Sequence, residues 1–149
     1  MRLSTHSRYG TRLLLDLAQN YGNAPIKIGD IAKRQNISGK YLEQIIRPLK
    51  RANYIRSFRG VRGGYILSKP PDQITVGEIV ALLEDGTHLT PCSDNPKLCS
   101  RSDECLTRHV WIEASRVLFD CLNQVTLADL ISGKYIPRLN KPKNQSTEN

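Results

Sequence analysis

The chain has 149 residues and 39% hydrophobic content, which suits one globular unit or a small domain with an appendage. Its formal net charge is +8, but residues 1–70 hold 14 of the 22 basic residues and only three acidic ones, a net of +11. Residues 71–149 hold eight basic and 11 acidic residues, a net of −3. A positive charge confined to one half of the chain favours nucleic acid as the partner of that half.

The sequence also argues against membrane proteins, secreted proteins and enzymes. It has no run of about 20 apolar residues, so no membrane span is expected. Residues 1–6 lack the apolar core of a signal peptide, which predicts a cytoplasmic protein whose cysteines are thiols or metal ligands rather than disulfides. It contains no Cys-x-x-Cys motif and no phosphate-binding glycine loop, and we therefore do not expect an enzyme.

The first helix is predicted over residues 8–21, because apolar residues recur there at helical spacing. The apolar face consists of Tyr9, Leu13, Leu14, Leu17, Ala18 and Tyr21, and the residues expected to face outward are Arg8, Arg12, Asp16 and Gln19. Pro25 ends the linker that follows, and a new helical pattern begins directly after it.

A helix, a turn and a second helix are predicted from residue 28 onward. Ile28, Ile31 and Ala32 form a short apolar face, and Gln35-Asn36 supplies the turn. Ser38 is placed to cap the second helix, since its hydroxyl can accept from the free backbone N–H groups of the first turn. The buried stripe of this helix is Leu42, Ile45, Ile46 and Leu49, and its opposite face carries Lys40, Glu43, Gln44, Arg47 and Lys50. We expect Pro48 to bend the helix near its end.

Two alternating runs follow the second helix. Tyr54–Phe58 and Tyr65–Leu67 read as strands, and Arg59–Gly64 joins them as a basic, glycine-rich loop. With the helices before them they predict a winged helix-turn-helix, which places its second helix in the DNA major groove. The predicted fold class is mainly α with a small β-hairpin wing, and residues 1–71 are expected to form the DNA-binding domain.

Residues 72–134 predict a unit made of a cysteine loop and dimerisation helices. Thr75 and Glu78 have capping-box spacing at the start of a short helix, which Asp85-Gly86 ends. A polar loop follows over about residues 87–104. Thr126 then caps a last short helix ending at Gly133, and the polar segment 135–149 is expected to be a disordered tail.

A long amphipathic helix is predicted from about Glu104 to Leu122. Its apolar stripe consists of Val110, Trp111, Ala114, Val117, Leu118, Cys121 and Leu122. The small domain leaves little surface to cover this stripe, so a second copy of the chain is the expected partner. A two-fold homodimer would present two recognition helices to a palindromic operator in double-stranded DNA.

Three cysteines of the polar loop are candidate metal ligands. Cys92, Cys99 and Cys105 are separated by six and five residues, and His109 follows four positions after Cys105. Thiolates on a loop can converge on an iron–sulfur cluster, and Cys105 and His109 share one helix face. Structural zinc, which usually shows a closer cysteine pair, and unligated or redox-paired thiols are the alternatives. Cys121 lies in the apolar stripe and is expected to be a small buried hydrophobe.

The segments Arg2–Thr5, Ile37–Gln44 and Arg59–Tyr65 resemble those of the IscR-type (BadM/IscR) family of bacterial transcription regulators. The resemblance extends to about Lys134 and implies a homodimer with crossed C-terminal helices and, in sensor members, an iron–sulfur cluster. By position, it implies DNA-binding roles in the major groove for Ser38, Lys40, Tyr41, Glu43 and Gln44, with Arg47 on the same face, and in the minor groove for Arg59 with help from Arg62. Glu43 has two possible roles. It either acts as a specificity gate, accepting from cytosine N4 while repelling phosphate and most other base edges, or it offsets the positive charge of Arg47 one turn later.

The cysteine loop departs from the family pattern. Members with a [2Fe–2S] centre resemble Cys-x5-Cys-x5-Cys-x2-His, whereas here the first gap is one residue longer and Arg108 stands in the usual histidine place. Members with a [4Fe–4S] centre use an acidic residue where this chain has Arg8. The resemblance implies a cluster, [2Fe–2S] or alternatively [4Fe–4S], on the three cysteines, with His109 as fourth ligand or Glu104 or Asp103 in its place.

The function predicted from these observations is a dimeric regulator that represses iron–sulfur cluster assembly genes according to a bound cluster. The alternative is a regulator of sulfur or cysteine metabolism, or of the nitric oxide response. That regulator would sense by docking a partner protein or through zinc or thiol chemistry.

Overall fold

The structure is a computed structural model that describes residues 3–84 and 86–134. The predicted tail 135–149 lies outside the described residues. The helices are α1 (Thr5–Gln19), α2 (Ile28–Gln35), α3 (Gly39–Arg51), α4 (Val76–Leu83), α5 (Pro91–Asp94), α6 (Leu106–Asn123) and α7 (Leu127–Ile131), with short 3-10 turns at Pro71–Gln73 and Pro96–Leu98. The strands β1 (Ile55–Phe58) and β2 (Gly64–Leu67) form one antiparallel hairpin. None of the described helices is long and apolar enough to cross a membrane.

The predicted winged helix-turn-helix is confirmed. Ser38 caps α3, and its hydroxyl accepts from the Tyr41 N–H at 3.2 Å. The hairpin pairs Ile55 with Leu67 at its base, and Ile26 adds two backbone bonds to Tyr65, of 3.0 and 2.8 Å. The fully buried side chains of this half include Leu13, Leu14, Ile31, Leu42, Ile45 and Leu49, which form one core among α1, α2 and α3. Pro48 lies inside α3, which continues past it to Arg51.

Helix α1 differs from the expectation in its bounds and in two side chains. It begins at Thr5, with Ser4 as the N-cap, and ends at Gln19. Tyr21 therefore lies beyond the helix and is exposed rather than part of the apolar face. Asp16, expected to face outward, is only 2% exposed because Arg34 and Gln35 of α2 supply hydrogen bonds to its carboxylate.

Helices α4 and α7 pack the C-terminal half against α1. Both sequence-predicted caps are present, since Thr75 with Glu78 and Thr126 with Asp129 form complete capping boxes. The Val76 N–H donates to the Val125 carbonyl at 2.8 Å, which fastens the start of α4 to the segment between α6 and α7. The segment expected to be a loop contains α5 and a 3-10 turn, and the long helix begins at Leu106 rather than Glu104.

Candidate DNA-binding surface and cysteine loop

The exposed side of α3, called here the α3 face, consists of Ser38, Lys40, Glu43, Gln44 and Arg47. The other side of the helix is fixed in the core, so this face has a set direction. Among the described residues, Glu43 forms no ion pair with Arg47, although the two are one turn apart. A carboxylate free of its neighbour is available as an acceptor, whereas the basic groups around it suit phosphate or guanine.

Tyr41 is held differently from its neighbours on α3. Its hydroxyl lies 3.0 Å from the Thr5 Oγ1, and its half-buried ring meets the rings of His6 and Tyr9 edge-on. The centroid distances are 6.3 Å to His6 and 5.9 Å to Tyr9. Tyr41 therefore packs the start of α3 against the start of α1, in addition to the DNA contact that the resemblance implies for it.

The wing (Ile55–Leu67) carries Arg59 and Arg62, the two arginines predicted to bind the minor groove, and both are exposed. Its tip depends on glycine, since Gly60 has φ +100° and a side chain at Gly63 would collide with the Phe58 carbonyl. The wing is also tied to α3, because the Lys50 ammonium donates to the Ser57 hydroxyl at 2.7 Å. The α3 face and the wing thus form one basic surface of fixed geometry.

A buried carboxylate braces α1 against α2. The Asp16 carboxylate accepts from the Arg34 Nε at 3.0 Å, from the Arg34 Nη2 at 2.7 Å and from the Gln35 Nε2 at 2.9 Å. Burial alone would raise the pKa of Asp16, but these bonds and the charge of Arg34 outweigh it and lower the pKa. The brace keeps α2 in place behind α3 and was not predicted from the sequence.

The cysteine loop (residues 87–105) is attached to α6 at two points. The Leu89 N–H donates to the Ser115 hydroxyl at 2.9 Å, and the Arg108 Nε donates to the Cys92 carbonyl at 2.8 Å. Arg108, which stands in the family's histidine place, thus holds the backbone of a candidate ligand. The sequence drew attention to Arg108 only by its place in the family pattern. Its bond to Cys92 was not predicted, because the two residues are 16 positions apart.

The three loop cysteines are free thiols of intermediate exposure. The Cys92 Sγ lies 3.5 Å from the Thr90 Oγ1, and the Cys105 Sγ lies 3.3 Å from the Thr107 Oγ1. The Thr107 hydroxyl and the Arg108 and Thr107 backbone N–H groups lower the pKa of Cys105, the N-cap of α6. Soft thiolate donors that are partly accessible fit an iron–sulfur cluster or zinc.

The candidate ligands do not converge in this structure. In residues 3–84 and 86–134, no three Cys, His, Asp or Glu side chains are grouped so that they could hold a metal ion. His109 is exposed and lies against Val110 and Glu113 along α6. Of the alternative fourth ligands, Asp103 accepts from Ser102 at 3.4 Å and Glu104 is exposed. The thiols fit a cluster by their chemistry, and the loop would have to rearrange to bring them together.

An apolar groove runs along the outer side of α6. Its volume is about 900 Å³, and it is lined by His109, Val110, Glu113, Ala114, Val117, Leu118 and Cys121. The prediction that Cys121 is buried is wrong for the single chain, in which its side chain is exposed. Five of the seven residues of the predicted apolar stripe line this groove, and none of the described residues covers the part that carries Cys121.

Comparison with known proteins identifies the family. The model of the Rrf2 family, described as iron-dependent transcriptional regulators, matches residues 3–133. The chain belongs to the Rrf2 family. Protein rrf2 of Nitratidesulfovibrio vulgaris (Hildenborough) is 47% identical to this Rrf2-family chain over 131 residues, covering 88% of the chain and 87% of that protein. The regulator IscR of Sodalis glossinidius is 36% identical over 136 residues, covering 91% and 82%.

The Rrf2-family chain is similar to solved structures of two regulators, CymR and IscR. It is similar to CymR, the global cysteine regulator of B. subtilis, with a TM-score of 0.73 and 33% identity over 89% of this chain and 97% of that one. It is equally similar to T. potens IscR, with a TM-score of 0.73 and 32% identity over 97% and 94%. The Rrf2-family chain is a transcription regulator with a DNA-binding winged helix, and not an enzyme.

Proposed function

We propose that this protein is a cytoplasmic, homodimeric regulator that binds a palindromic operator and responds to an iron–sulfur cluster held by Cys92, Cys99 and Cys105. The observation that supports this most is that three free thiols lie on a loop fastened to α6, the helix that carries the open groove. A change in that loop would therefore act on the helix that sets the distance between two DNA-binding halves.

The α3 face would read bases in the major groove. Lys40 and Arg47 suit guanine or phosphate, Gln44 suits adenine, and Ser38 and Tyr41 lie at the same edge. Glu43 would accept from cytosine N4 and repel other acceptors, which makes it the specificity gate. Its freedom from Arg47 supports this role over that of a charge offset. Arg59, with Arg62 beside it, would enter the minor groove from the wing.

Three cysteines would hold the cluster, which supplies a redox-active and oxygen-sensitive group when bound. We propose a [2Fe–2S] centre, with [4Fe–4S] as the alternative, and His109 as fourth ligand ahead of Glu104 and Asp103. Arg108 would keep Cys92 at the first turn of α6 during ligation, because its Nε bond is made to the backbone and leaves the thiolate free. The target genes proposed are those for cluster assembly, with repression as the outcome.

A second copy of the chain would fill the α6 groove. The groove is lined mainly by apolar side chains, with exposed Val110 and Val117 at its surface. When the same stripe of a second copy covers this one, the interface is two-fold and self-complementary. The two recognition helices of such a dimer would bind the two half-sites of the operator.

The proposal is tested on protein purified without oxygen by measuring its visible absorption, its iron and sulfide content and its mass in solution. We expect a coloured dimer with both elements, and a Cys92→Ser, Cys99→Ser, Cys105→Ser triple variant that is colourless. Cys121→Ser serves as the matched control and should keep its cluster. Wild-type protein without iron and sulfide would contradict the cluster proposal.

Base reading is tested separately with duplexes selected by the protein from a randomised library. Glu43→Gln is expected to bind the selected duplex with altered base preference at one position of each half-site. Asp30→Asn, which makes the same charge change at an exposed position of α2 outside the α3 face, should keep the preference. An unchanged preference in Glu43→Gln would contradict the gate.

The alternative is a regulator of sulfur or cysteine metabolism, or of the nitric oxide response, that senses a partner protein, zinc or thiol oxidation. Two observations favour it. The chain is similar to CymR, the global cysteine regulator of B. subtilis. The pKa of Cys105 is lowered, which increases the thiolate fraction of this side chain. Colourless dimeric protein whose DNA affinity changes with thiol oxidation, zinc or an added partner would support this alternative.

A further inference from the structure

One carboxylate joins the end of α4 to the start of α1. Glu84, the C-cap residue of α4, accepts from the Ser4 backbone N–H at 2.7 Å and from the Ser7 hydroxyl. Ser4 is itself the N-cap of α1, and Ser7 is fully buried. Burial alone would raise the pKa of Glu84, but the bonds from Ser7 and Ser4 lower it and keep the carboxylate charged at neutral pH. A negative charge at this point also suits the N-terminus of a 15-residue helix.

The same turn of α1 contacts α3. Thr5 follows the cap directly, and its hydroxyl lies 3.0 Å from the Tyr41 hydroxyl. Tyr41 is in the first turn of α3, where its N–H donates to the Ser38 hydroxyl. A continuous set of contacts therefore connects Glu84 to the first turn of α3 through Ser4 and Thr5. It was not visible in the sequence, because Glu84 and Ser4 are 80 residues apart.

Glu84 is also close to α6. A cavity of about 170 Å³ lies beside it and is lined by Leu3, Val80, Glu84, Gly86, His88, Leu89, Leu118 and Phe119. Leu118 also lines the α6 groove, and Leu89 belongs to the cysteine loop. At its other end, α4 is bonded to α6 through the Thr75 hydroxyl, 3.2 Å from the Asn123 Oδ1. Glu84 thus lies where the end of α4 meets the start of α1, beside a cavity that Leu118 and Phe119 of α6 also line.

We propose that Glu84 is a positioning residue for DNA recognition, which sets the angle of α3 by holding the first turn of α1 against Tyr41. The inference rests on the proposed use of the α3 face for base reading. Base contacts need the recognition helix at one angle in the groove, whereas phosphate contacts tolerate small shifts. Loss of Glu84 should therefore weaken specific binding more than non-specific binding.

The experiment compares two probes, a duplex selected by the wild-type protein from a randomised library and a scrambled duplex of the same length. In Glu84→Ala we expect affinity for the selected duplex to fall about tenfold and affinity for the scrambled duplex to change less than about twofold, at one salt concentration. Glu84→Gln should recover part of the loss, because its amide oxygen can still accept from Ser4.

The matched control is Glu78→Ala, at the other end of α4. Glu78 accepts from the Thr75 N–H and, among the described residues, has no bond to α1. It should lower the thermal midpoint and leave the ratio of the two affinities unchanged. Adding Thr5→Val to Glu84→Ala should reduce specific affinity no further than the larger single effect, since both changes break the same connection.

Three results would overturn the inference: an unchanged ratio in Glu84→Ala, an equal fall in Glu78→Ala, or additive losses in the double variant. Failure of the proposed base reading is seen independently. If Arg47→Ala and Glu43→Gln leave binding of the selected duplex unchanged, the α3 face does not make the base contacts. If they weaken it while Glu84→Ala does not, only the role of Glu84 is lost.

Discussion

Removing Arg34 should destabilise the protein more than removing the charge of its partner. In Arg34→Met the Asp16 carboxylate, 2% exposed, would keep a single bond from the Gln35 Nε2. Breaking a buried ion pair from one side costs about 3–5 kcal/mol of unfolding free energy. The Arg34 side chain is 47% exposed, so water can enter in its place, and we expect about 3 kcal/mol. Asp16→Asn keeps the shape and an acceptor for Arg34, and we expect about 1–2 kcal/mol.

These costs are measured by urea and thermal unfolding at one protein concentration, because the proposed dimer would unfold with a concentration-dependent midpoint. A loss of about 3 kcal/mol lowers the midpoint by roughly 6–12 °C in a chain of this size. Lys33→Met is the control, since it removes an exposed neighbouring charge from the same last turn of α2. The reasoning is refuted if Arg34→Met costs no more than Lys33→Met, or less than Asp16→Asn.

The same pair predicts a dependence on pH. The pKa of Asp16 is lowered in the folded protein, so its stabilising effect is complete above the ordinary value of 3.8 and is lost as the pH falls through the lower, folded value. The stability gap between wild type and Asp16→Asn should therefore be constant from neutral pH down to about 5 and close in stronger acid. A gap that widens in acid would show that the sign is wrong.

Two further predictions concern α4 and α6. Gly77→Ala should lower the free energy of unfolding by about 1–3 kcal/mol in urea denaturation, because its Cβ would meet the Asn123 side chain and lie 2.9 Å from the Asn123 backbone nitrogen. Gly29→Ala, with open space around the new Cβ, should show no such loss, and equal costs would argue against close packing of α4 on α6. Val117→Glu should convert the proposed dimer to a monomer in sedimentation and speed maleimide labelling of Cys121, which lines the same groove. A dimer with unchanged labelling would place the interface elsewhere.

Local signals predicted most of the fold. Ser38, Thr75 and Thr126 cap the helices expected of them, because a capping side chain and its backbone partner lie within one turn and can be read directly from the sequence. The hairpin was predicted for the same reason, since alternation and glycine-rich turns are local features.

The predictions that failed depend on distant partners. Asp16 occupies an outward position by helical periodicity, but Arg34 and Gln35 approach it from another helix and make its burial favourable. Cys121 belongs to an apolar stripe, which indicates that a helix face is to be covered but does not say by what, and among residues 3–84 and 86–134 it is left exposed. The ligand set, by contrast, stays a prediction from spacing, because the separation of these side chains depends on the path of the loop, which spacing does not determine.

Trp111 is the only tryptophan of the chain, and it belongs to the apolar stripe predicted for α6, where 42% of its surface is exposed. Indole fluorescence responds to the polarity of its surroundings, so the protein carries a natural optical probe at the face proposed to bind a second copy. Covering α6 should shift the emission to shorter wavelength, whereas dilution that separates two chains should shift it back. Any event in the cysteine loop that loosens or tightens this face could then be followed in real time, on unmodified protein and without DNA.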